Sequence, residues 1–374
     1  TFKLNMEYFD YATGLKMVNG NFIKLFGEKA RISDKDLLTQ FHMDIASSIQ
    51  SVTEEVVLRL AKSVARETKS KNLCMAGGVA LNCVANGKIL KENIFENIWI
   101  QPAAGDAGGA LGAALALWHK ELKNERLLPI EDKMKGSYLG PSFNNSEIES
   151  TLKKIGSTYD KFSENEMLKI TSEELANEKT IGWFQGRMEF GPRALGNRSI
   201  IADPRSSKMQ KNLNLKVKFR ESFRPFAPSI VREDLSNWFD LDCDSPYMLL
   251  VGNIKEDKKI EMTKLEKKLF GIDKLNIKRS EIPAITHVDY SARIQTVHKD
   301  TNSKYYKLIK NFQEITKCPI LVNTSFNVRG EPIVCSIEDA YKCFMGTDLD
   351  MLVCGDFILY KDKQNKKLLS DYKN

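Results

Sequence analysis

The segment 186–228 constrains this chain more than any other part of the sequence. Between Arg187 and Arg232 there are seven arginines and four lysines against three acidic residues, a local excess of eight positive charges. Seven glycines and prolines interrupt the segment, so the pattern predicts basic side chains presented from turns and not a basic stripe along one helix. Such a cluster predicts a compact site for a multiply charged anion.

Length and composition indicate a soluble protein of two domains. The chain has 374 residues, of which 42% are hydrophobic and 28% are charged, enough for two separate cores. No apolar run approaches the roughly 20 residues that span a bilayer, and no secretory signal is present. The seven cysteines include no CxxC pair. We therefore expect a reduced, cytoplasmic protein without structural zinc.

The first 128 residues show the pattern of an α/β layer. Apolar residues recur at helical spacing from Asp44 to Thr68, which predicts one long amphipathic helix with a buried stripe. His42, near its start, is interpreted as a cap or core residue. Two short apolar strands follow, at 72–76 and 97–102, and each runs into a glycine-rich turn that opens a helix. This succession predicts ligand loops at the strand ends.

The two glycine turns have two interpretations. Gly77 and Gly78, or Gly108 and Gly109, could let a phosphate approach the backbone N–H groups at a helix start, or could simply allow tight packing of helix against strand. Asp106 lies in the second turn. It is either a ligand for a cation or the N-cap of the following helix.

The remainder of the chain indicates a second domain. Turn-forming and charged residues at 129–141 predict the boundary, and residues 142–374 mix strands and helices without regular alternation, which predicts an α+β domain with a mixed sheet. Within it, Ser336 and Asp339 predict a helix start, and 350–360 is predicted to be a closing strand. The strand at 318–327 ends in small hydrogen-bonding residues, Asn323, Thr324, Ser325 and Asn327.

Six separated motifs carry a resemblance to a known family. They are GGVALN (77–82), GDAGGALGAA (105–114), GRMEFGPRALGNRSIIADPR (186–205), KFRESFRPFAP (218–228), HVDYSARIQTV (287–297) and NTSFNVRGEPIV (323–334). In this order they resemble the O-carbamoyltransferases, which include the tobramycin, cephem and nodulation-factor enzymes. The resemblance implies that residues 1–128 are the C-terminal half of an actin/sugar-kinase-like domain, similar to tRNA threonylcarbamoyl transferase. Residues 142–374 are then similar to the YrdC-like fold.

The resemblance also implies an activity. The YrdC-like domain would form carbamoyladenylate from carbamoyl phosphate and ATP, and the other domain would pass the carbamoyl group to a hydroxyl of a small-molecule or sugar acceptor. The catalytic residues implied are Arg193, Lys218, Arg224, Arg293 and Ser325. Arginine forks and a lysine suit this role because they hold phosphate oxygens. The residues implied to bind ATP or the adenylate are Gly77, Gly78, Asn82, Gly108, Gly109, Asn323, Thr324 and Asn327.

A divalent metal, of Fe or Mg type, is the second cofactor that the resemblance implies, with Asp106 as a ligand. The family's HxxxH metal pair does not occur in this sequence, whose histidines are His42, His119, His287 and His298. The opening at Thr1 reads as the middle of a domain. We therefore expect a piece of a longer protein that forms the adenylate but transfers the carbamoyl group poorly.

Three rival functions stay open at this point. The basic segment also suits a nucleic-acid backbone, although turns among the arginines argue against a long binding stripe. A hydrogenase-maturation carbamoyltransferase is the nearest enzymatic rival, although its CxxC pairs and acylphosphatase segment are missing from this chain. A non-catalytic scaffold is the third. The acceptor and the oligomeric state cannot be read from the sequence, and a homodimer stays open.

Overall fold

The computed structural model describes residues 2–32, 35–127, 132–269, 271–275 and 277–368. The chain forms two compact units, one made of Thr1–Leu73 with Lys88–Ile98 and the other of Cys74–Gly87 with Trp99–Asn374. The first residues of the predicted boundary at 129–141 fall within 128–131, which lie outside the described residues, and the boundary stays a prediction.

The smaller unit is built mainly on one long helix. Its helices are α1 (Gly20–Phe26) and α2 (Gln40–Thr68). The Thr39 N–H donates to His42 Nδ1 at 3.1 Å, so His42 completes the cap at the start of α2, as predicted.

The predicted buried stripe of α2 is wrong for most of its length. Ile49, Val52, Leu60 and Val64 are between 42% and 61% exposed. The spacing that predicted the helix is present, but the described residues of the smaller unit do not cover this face. Helical periodicity indicates which face is apolar and does not show what packs on it.

Two short strands and two helices follow α2. Strands β1 (Asn72–Met75) and β2 (Asn97–Ile100) form a two-stranded sheet, as the two predicted strands require. Helix α3 (Cys83–Lys91) follows the first glycine turn, and α4 (Ala107–Ala116) follows the second. The larger unit contains the second turn and the first half of α3.

A ten-stranded mixed sheet forms the core of the larger unit, as the α+β interpretation predicts. Its strand order is β3-β12-β11-β4-β5-β10-β6-β9-β8-β7. The pairs β4–β11 and β6–β9 are parallel, and the other pairs are antiparallel. The strands are β3 (Asp160–Lys161), β4 (Ile181–Phe184), β5 (Arg198–Ala202), β6 (Ala227–Val231), β7 (Phe239–Asp240), β8 (Leu250–Ile254), β9 (Ser291–Val297), β10 (Ile320–Ser325), β11 (Met351–Cys354) and β12 (Phe357–Tyr360).

Helices pack on this sheet through their apolar residues. Leu152, Leu175, Phe312 and Phe344, one from each of the four longest helices of this part of the chain, are fully buried. Ser336 and Asp339 form the predicted capping box at the start of the last helix. The helices are α5 (Asn145–Ile155), α6 (Glu164–Ala176), α7 (Met209–Asn212), α8 (Leu235–Trp238), α9 (Lys264–Lys267), α10 (Gly271–Leu275), α11 (Ser303–Thr316) and α12 (Ile337–Gly346).

Two local predictions in this unit are wrong. The segment 350–360 is not one strand but the hairpin β11–β12, because Gly355 adopts φ +56° and turns the chain back on itself. The arginines of the basic segment were predicted to project from turns; Arg193, Arg205 and Arg224 do lie outside helices and strands, but Arg198 lies in strand β5, which pairs with β4 and β10. Its alternating apolar residues Ile200 and Ala202 are fully buried.

Not every arginine of the basic segment is available to a ligand. Arg198 is fully buried, its guanidinium lies 3.6 Å from the centre of the Phe184 ring, and it donates to the Gln185 carbonyl at 2.6 Å. Arg205 makes a 2.6 Å ion pair with Asp203. Both therefore serve internal contacts.

Gly196, in the middle of the basic segment, is predicted to be intolerant of a side chain. It adopts φ +106°, and a Cβ there would lie 2.3 Å from Tyr305 Cδ1. Gly196→Ala should combine left-handed strain of about 1–2 kcal/mol with an overpacking cost of about 1–3 kcal/mol. The measurement is the free energy of unfolding from urea denaturation.

Gly156→Ala is the matched control. Gly156 also has a positive φ, +76°, but a Cβ there would meet no atom within 4 Å. This variant should carry the backbone strain alone. Equal losses of stability in the two variants would contradict the close contact with Tyr305.

Candidate anion-binding site

A basic cavity of about 560 Å³ lies at one end of the mixed sheet. It brings together residues that are more than 200 positions apart in the sequence. None of its lining residues is acidic. They are Cys83, Val84, Pro192, Arg193, Ala194, Arg220, Arg224, Pro225, Phe226, Ala227, Met248, His287, Arg293, Asn323, Thr324 and Ser325.

Strand register explains the floor of the cavity. Ala227 of β6 lies opposite Asn323 of β10. On the other side of β6, the parallel register that pairs Ser229 with Gln295 places Ala227 beside Arg293. Arg293, Ala227 and Asn323 thus form one row across three strands, with the smallest side chain in the middle. A ligand can approach the sheet closely between the guanidinium and the amide.

Arg293 and Arg193 supply the strongest positive charge in the cavity. Burial, and then the charge of Arg193, lower the pKa of Arg293 to about 10. Burial also lowers the pKa of Arg193, whose Nη2 donates to the Leu81 carbonyl at 3.3 Å. Among the described residues, Arg293 has no hydrogen-bond or ion-pair partner. A bound anion would relieve the repulsion between these two cations.

Two further arginines stand at the cavity. Arg224 was predicted and pairs with Glu221 at 3.2 Å, so its charge is partly neutralised. Arg220 was missed by sequence reasoning, although it lies in the same motif as Lys218 and Arg224. Its Nε donates to Asn214 Oδ1 at 2.7 Å, and burial lowers its pKa to about 10. The close spacing of the basic residues at 218, 220 and 224 was the signal in the sequence that could have identified Arg220.

Lys218 lies behind the cavity wall and does not line it. Its ammonium is buried and donates to four oxygens of the loop after β10: the carbonyl and hydroxyl of Ser325, and the carbonyl and Oδ1 of Asn327. Burial, and then the charge of Arg220, lower its pKa to about 7. Lys218 therefore positions Ser325 and Asn327, and it is not itself placed to touch a ligand.

The polar end of β10 forms a further part of the cavity lining. Asn323, Thr324 and Ser325 line the cavity, whereas Asn327 is held by Lys218 behind it. The Asn323 amide donates to the Ala194 carbonyl at 3.1 Å and to Gln295 Oε1 at 2.8 Å, so its orientation is fixed.

His287 also lines the cavity and is neutral near pH 7. Burial is the main cause that lowers its pKa to about 4, and nearby arginines add to the effect. Its Nδ1 lies 3.0 Å from Ser291 Oγ. The imidazole can therefore accept or donate a hydrogen bond at the cavity wall without adding charge.

The residues predicted in the two glycine turns lie outside the lining of this cavity. Gly77, Gly78 and Gly109 have open space where a Cβ would stand, whereas a Cβ on Gly108 would lie 2.2 Å from the Ala103 carbonyl oxygen. Gly108 therefore serves tight packing. The Asn82 carboxamide accepts from the Ala85 N–H at 3.1 Å and caps α3.

Asp106 by itself does not fit a metal centre. Its carboxylate is exposed and makes no cap hydrogen bond. Within the described part of the chain, no group of three His, Cys, Asp or Glu side chains is arranged to hold a metal ion. One carboxylate is fewer ligands than a divalent cation takes from a protein site, so no chemical step is assigned to a metal here.

Two family models match this sequence. The model described as Carbamoyltransferase C-terminus matches residues 172–361, more than half of the chain, and Carbamoyltransferase N-terminus matches residues 1–115. The chain belongs to the carbamoyltransferase family. Within this family's C-terminal region lie the arginines of the cavity, Lys218, and the polar end of β10.

Curated relatives extend this family assignment. An uncharacterised protein of Synechocystis sp. is 58% identical over 98% of this chain and 60% of its own length. Nodulation protein NolO of Bradyrhizobium diazoefficiens is 42% identical over 86% of this chain and 55% of its own length. Nodulation protein NolNO of Sinorhizobium fredii is 40% identical over 86% and 45%. This carbamoyltransferase chain thus spans about half the length of the curated relatives it matches.

One solved structure gives a weaker likeness. Full-length HypF in its phosphate- and nucleotide-bound form has 15% sequence identity and a TM-score of 0.32 over 57% of this chain and 23% of HypF. A likeness at this level carries no argument about fold or function. In the described residues of the carbamoyltransferase chain, no helix is both long enough and apolar enough to cross a membrane.

Lys218→Met should destabilise the chain. The substitution leaves buried acceptors on Ser325 and Asn327 without their donor, at a cost of about 1–3 kcal/mol. The measurement is the free energy of unfolding at pH 8. Lys216→Met, the same substitution at an exposed neighbour, is the control and should change stability by less than about 0.5 kcal/mol.

The stability loss in Lys218→Met should also depend on pH. The folded-state pKa of Lys218 is about 7, below the value of about 10.4 for an unfolded chain. Between these values the unfolded chain binds more protons, so raising the pH stabilises the wild type but not the variant. The loss should therefore grow from pH 7 to pH 10. A difference that is constant over this window would contradict the buried, depressed-pKa lysine.

Proposed function

We propose that this chain is part of an ATP-dependent O-carbamoyltransferase and that its larger unit converts carbamoyl phosphate, ATP and one water into carbamoyladenylate, with release of phosphate and pyrophosphate. The observation that supports this most directly is Arg293, a largely buried guanidinium that has no partner among the described residues and lies in a cavity with no acidic lining residue. Both proposed substrates are polyanions. A basic, enclosed cavity of this size suits a small acyl phosphate and a nucleotide phosphate.

The proposed roles follow from where the side chains lie. Arg293 and Arg193 would hold phosphate oxygens, since a guanidinium can donate two parallel hydrogen bonds to them. Thr324 and Ser325 would fix the small carbamoyl group through their hydroxyls. Lys218 would hold Ser325 in place, and Arg224 would contribute at the cavity entrance.

Charge stabilisation and positioning would supply most of the rate acceleration. Negative charge shifts among phosphate oxygens as an acyl phosphate and ATP react, and donors already aimed at those oxygens need not reorganise. The cavity brings its arginines together with no acidic lining residue to offset their mutual repulsion. This preorganisation is the feature that an adenylate-forming site requires.

Transfer to an acceptor hydroxyl remains the second half of the proposal. The carbamoyl group would pass to a hydroxyl of a small-molecule or sugar acceptor. The proposed adenylate contacts at Gly77, Gly78, Asn82, Gly108 and Gly109 belong to this half. The Fe- or Mg-type metal that the family resemblance implies at Asp106 would belong to this half too, but no group of three metal-ligating side chains occurs among the described residues.

Arg293→Gln tests the adenylation proposal. The chain is incubated with carbamoyl phosphate and ATP, and pyrophosphate release is followed. We expect release from the wild type and a rate about 10²–10³-fold lower in the variant, the usual cost of removing one preorganised donor. Arg187→Gln is the control, because Arg187 is exposed and donates only to the carbonyls of Leu139 and Gly140. Its rate should stay close to wild type.

Two outcomes would contradict the adenylation proposal. One is the absence of pyrophosphate release both in this chain and in a full-length relative. The other is an equal effect of the two arginine substitutions on the rate, which would show that the cavity does not take part in the reaction.

RNA binding is the alternative function, and a salt titration tests it. A short labelled RNA is titrated with the chain between 50 and 200 mM salt. We expect weak binding, because the arginines converge on a cavity instead of lining an extended surface. Nanomolar affinity that falls steeply with salt would favour a nucleic-acid-binding function.

A further inference from the structure

Cys83 is a cavity residue that the proposed reaction does not use. It is the first residue of α3, its side chain is half-buried, and it lines the basic cavity together with Arg193 and Arg293. The electrostatic interaction of its thiolate with both guanidiniums is attractive. A partly exposed cysteine beside positively charged side chains is the setting in which anionic thiol reagents are drawn to the sulfur.

Three contacts hold Cys83 in this position. The Asn86 amide donates to the Ala80 carbonyl at 2.8 Å and to the Leu249 carbonyl at 3.1 Å, which ties α3 to the segment before β8. Gly87 packs so closely that a Cβ there would lie 2.9 Å from the Val251 carbonyl oxygen. The thiol is thus fixed at the cavity wall by the fold and is not carried on a loose segment.

The cavity itself points to an anionic ligand independently of the cysteine. Arg293 is largely buried, faces this space and has no partner among the described residues, and the lining residues include no carboxylate. Any reagent that reaches Cys83 must enter this positive field. Negatively charged reagents are therefore attracted and cationic ones are repelled.

We propose that Cys83 is a thiol–disulfide exchange site selective for negatively charged small disulfides, and that the resulting mixed disulfide closes the anion cavity. The Cys83 thiolate attacks one sulfur of the incoming disulfide. A new S–S bond forms to Cys83, the original S–S bond breaks, and the released thiolate takes up a proton from water. The disulfide is the only oxidant required, and a second thiol reverses the reaction.

The other cysteines of the chain supply internal controls. Cys74 and Cys335 are exposed and do not line the cavity. Cys318, Cys343 and Cys354 are buried, and burial raises the pKa of each to about 12, so they should be inert. A charge preference at Cys83 alone therefore reports the cavity and not the general chemistry of the reagent.

The experiment compares two disulfides of opposite charge. The reduced chain is treated with glutathione disulfide, which is anionic, or with cystamine, which is cationic, and site-resolved mass spectrometry gives the rate at each cysteine. At Cys83 we expect glutathione disulfide to react at least about tenfold faster than cystamine, relative to the same ratio at Cys74 and Cys335. In 1 M salt this preference should largely disappear, because the Debye length falls to about 3 Å.

Two further arms locate the cause. Inorganic pyrophosphate should slow the reaction at Cys83 and leave Cys74 and Cys335 unchanged. Arg293→Gln should reduce the charge preference at Cys83, and Cys318, Cys343 and Cys354 that stay unreactive would show that the variant is folded. An unreactive Cys83, or equal reactivity toward both disulfides, would overturn the proposal.

The outcome does not depend on the proposed reaction. The charge preference tests only the geometry of Cys83 and the arginines. If pyrophosphate protects Cys83 but carbamoyl phosphate with ATP yields no pyrophosphate, the exchange site stands and the adenylation proposal falls. The reverse pattern would reject the exchange site alone.

Discussion

The buried ammonium of Lys218 is the interaction on which the site depends. It joins the basic segment to the loop after β10 through four acceptor oxygens of Ser325 and Asn327. These two parts of the chain are more than 100 residues apart, and no other single side chain described here makes as many bonds between them. Backbone bonds hold this loop as well: the Phe326 N–H donates to the Arg198 carbonyl at 2.9 Å, and the Arg329 N–H donates to the Lys218 carbonyl at 3.2 Å. The part of the cavity wall that Ser325 forms is therefore held by a buried side chain that does not itself line the cavity.

The sequence predicted which residues meet more reliably than what each one does. Arg193, Arg224, Arg293 and Ser325 were expected in one pocket from their order in separated motifs, and the structure brings them together. Lys218 was expected to touch the ligand, yet it lies behind the wall, because motif order does not show on which side of a strand or loop a side chain points. Arg220 was missed although it lines the cavity.

Secondary structure was predictable where local signals agreed. The capping box of Ser336 and Asp339 and the strand at Ile181–Phe184 follow from local pattern. Strand β5 was not predicted, because its glycine and arginine neighbours resemble a turn region and its pairing with β4 and β10 is made by distant residues. The exposed stripe of α2 has a similar cause: periodicity defines an apolar face, but only tertiary contacts decide whether it is covered.

The positive charges of this cavity lower the stability of the folded chain, and an anion that binds them offsets this loss. The charge of Arg193 lowers the pKa of Arg293, which means that the cavity holds its positive charges at a cost to the folded state. An anion that binds only the folded chain stabilises it by RT ln(1 + [L]/Kd), which grows with the logarithm of the anion concentration above the Kd. Anion binding should therefore both stabilise the folded chain and protect Cys83 from reaction. These two effects must appear together, because both follow from neutralising the same positive charges.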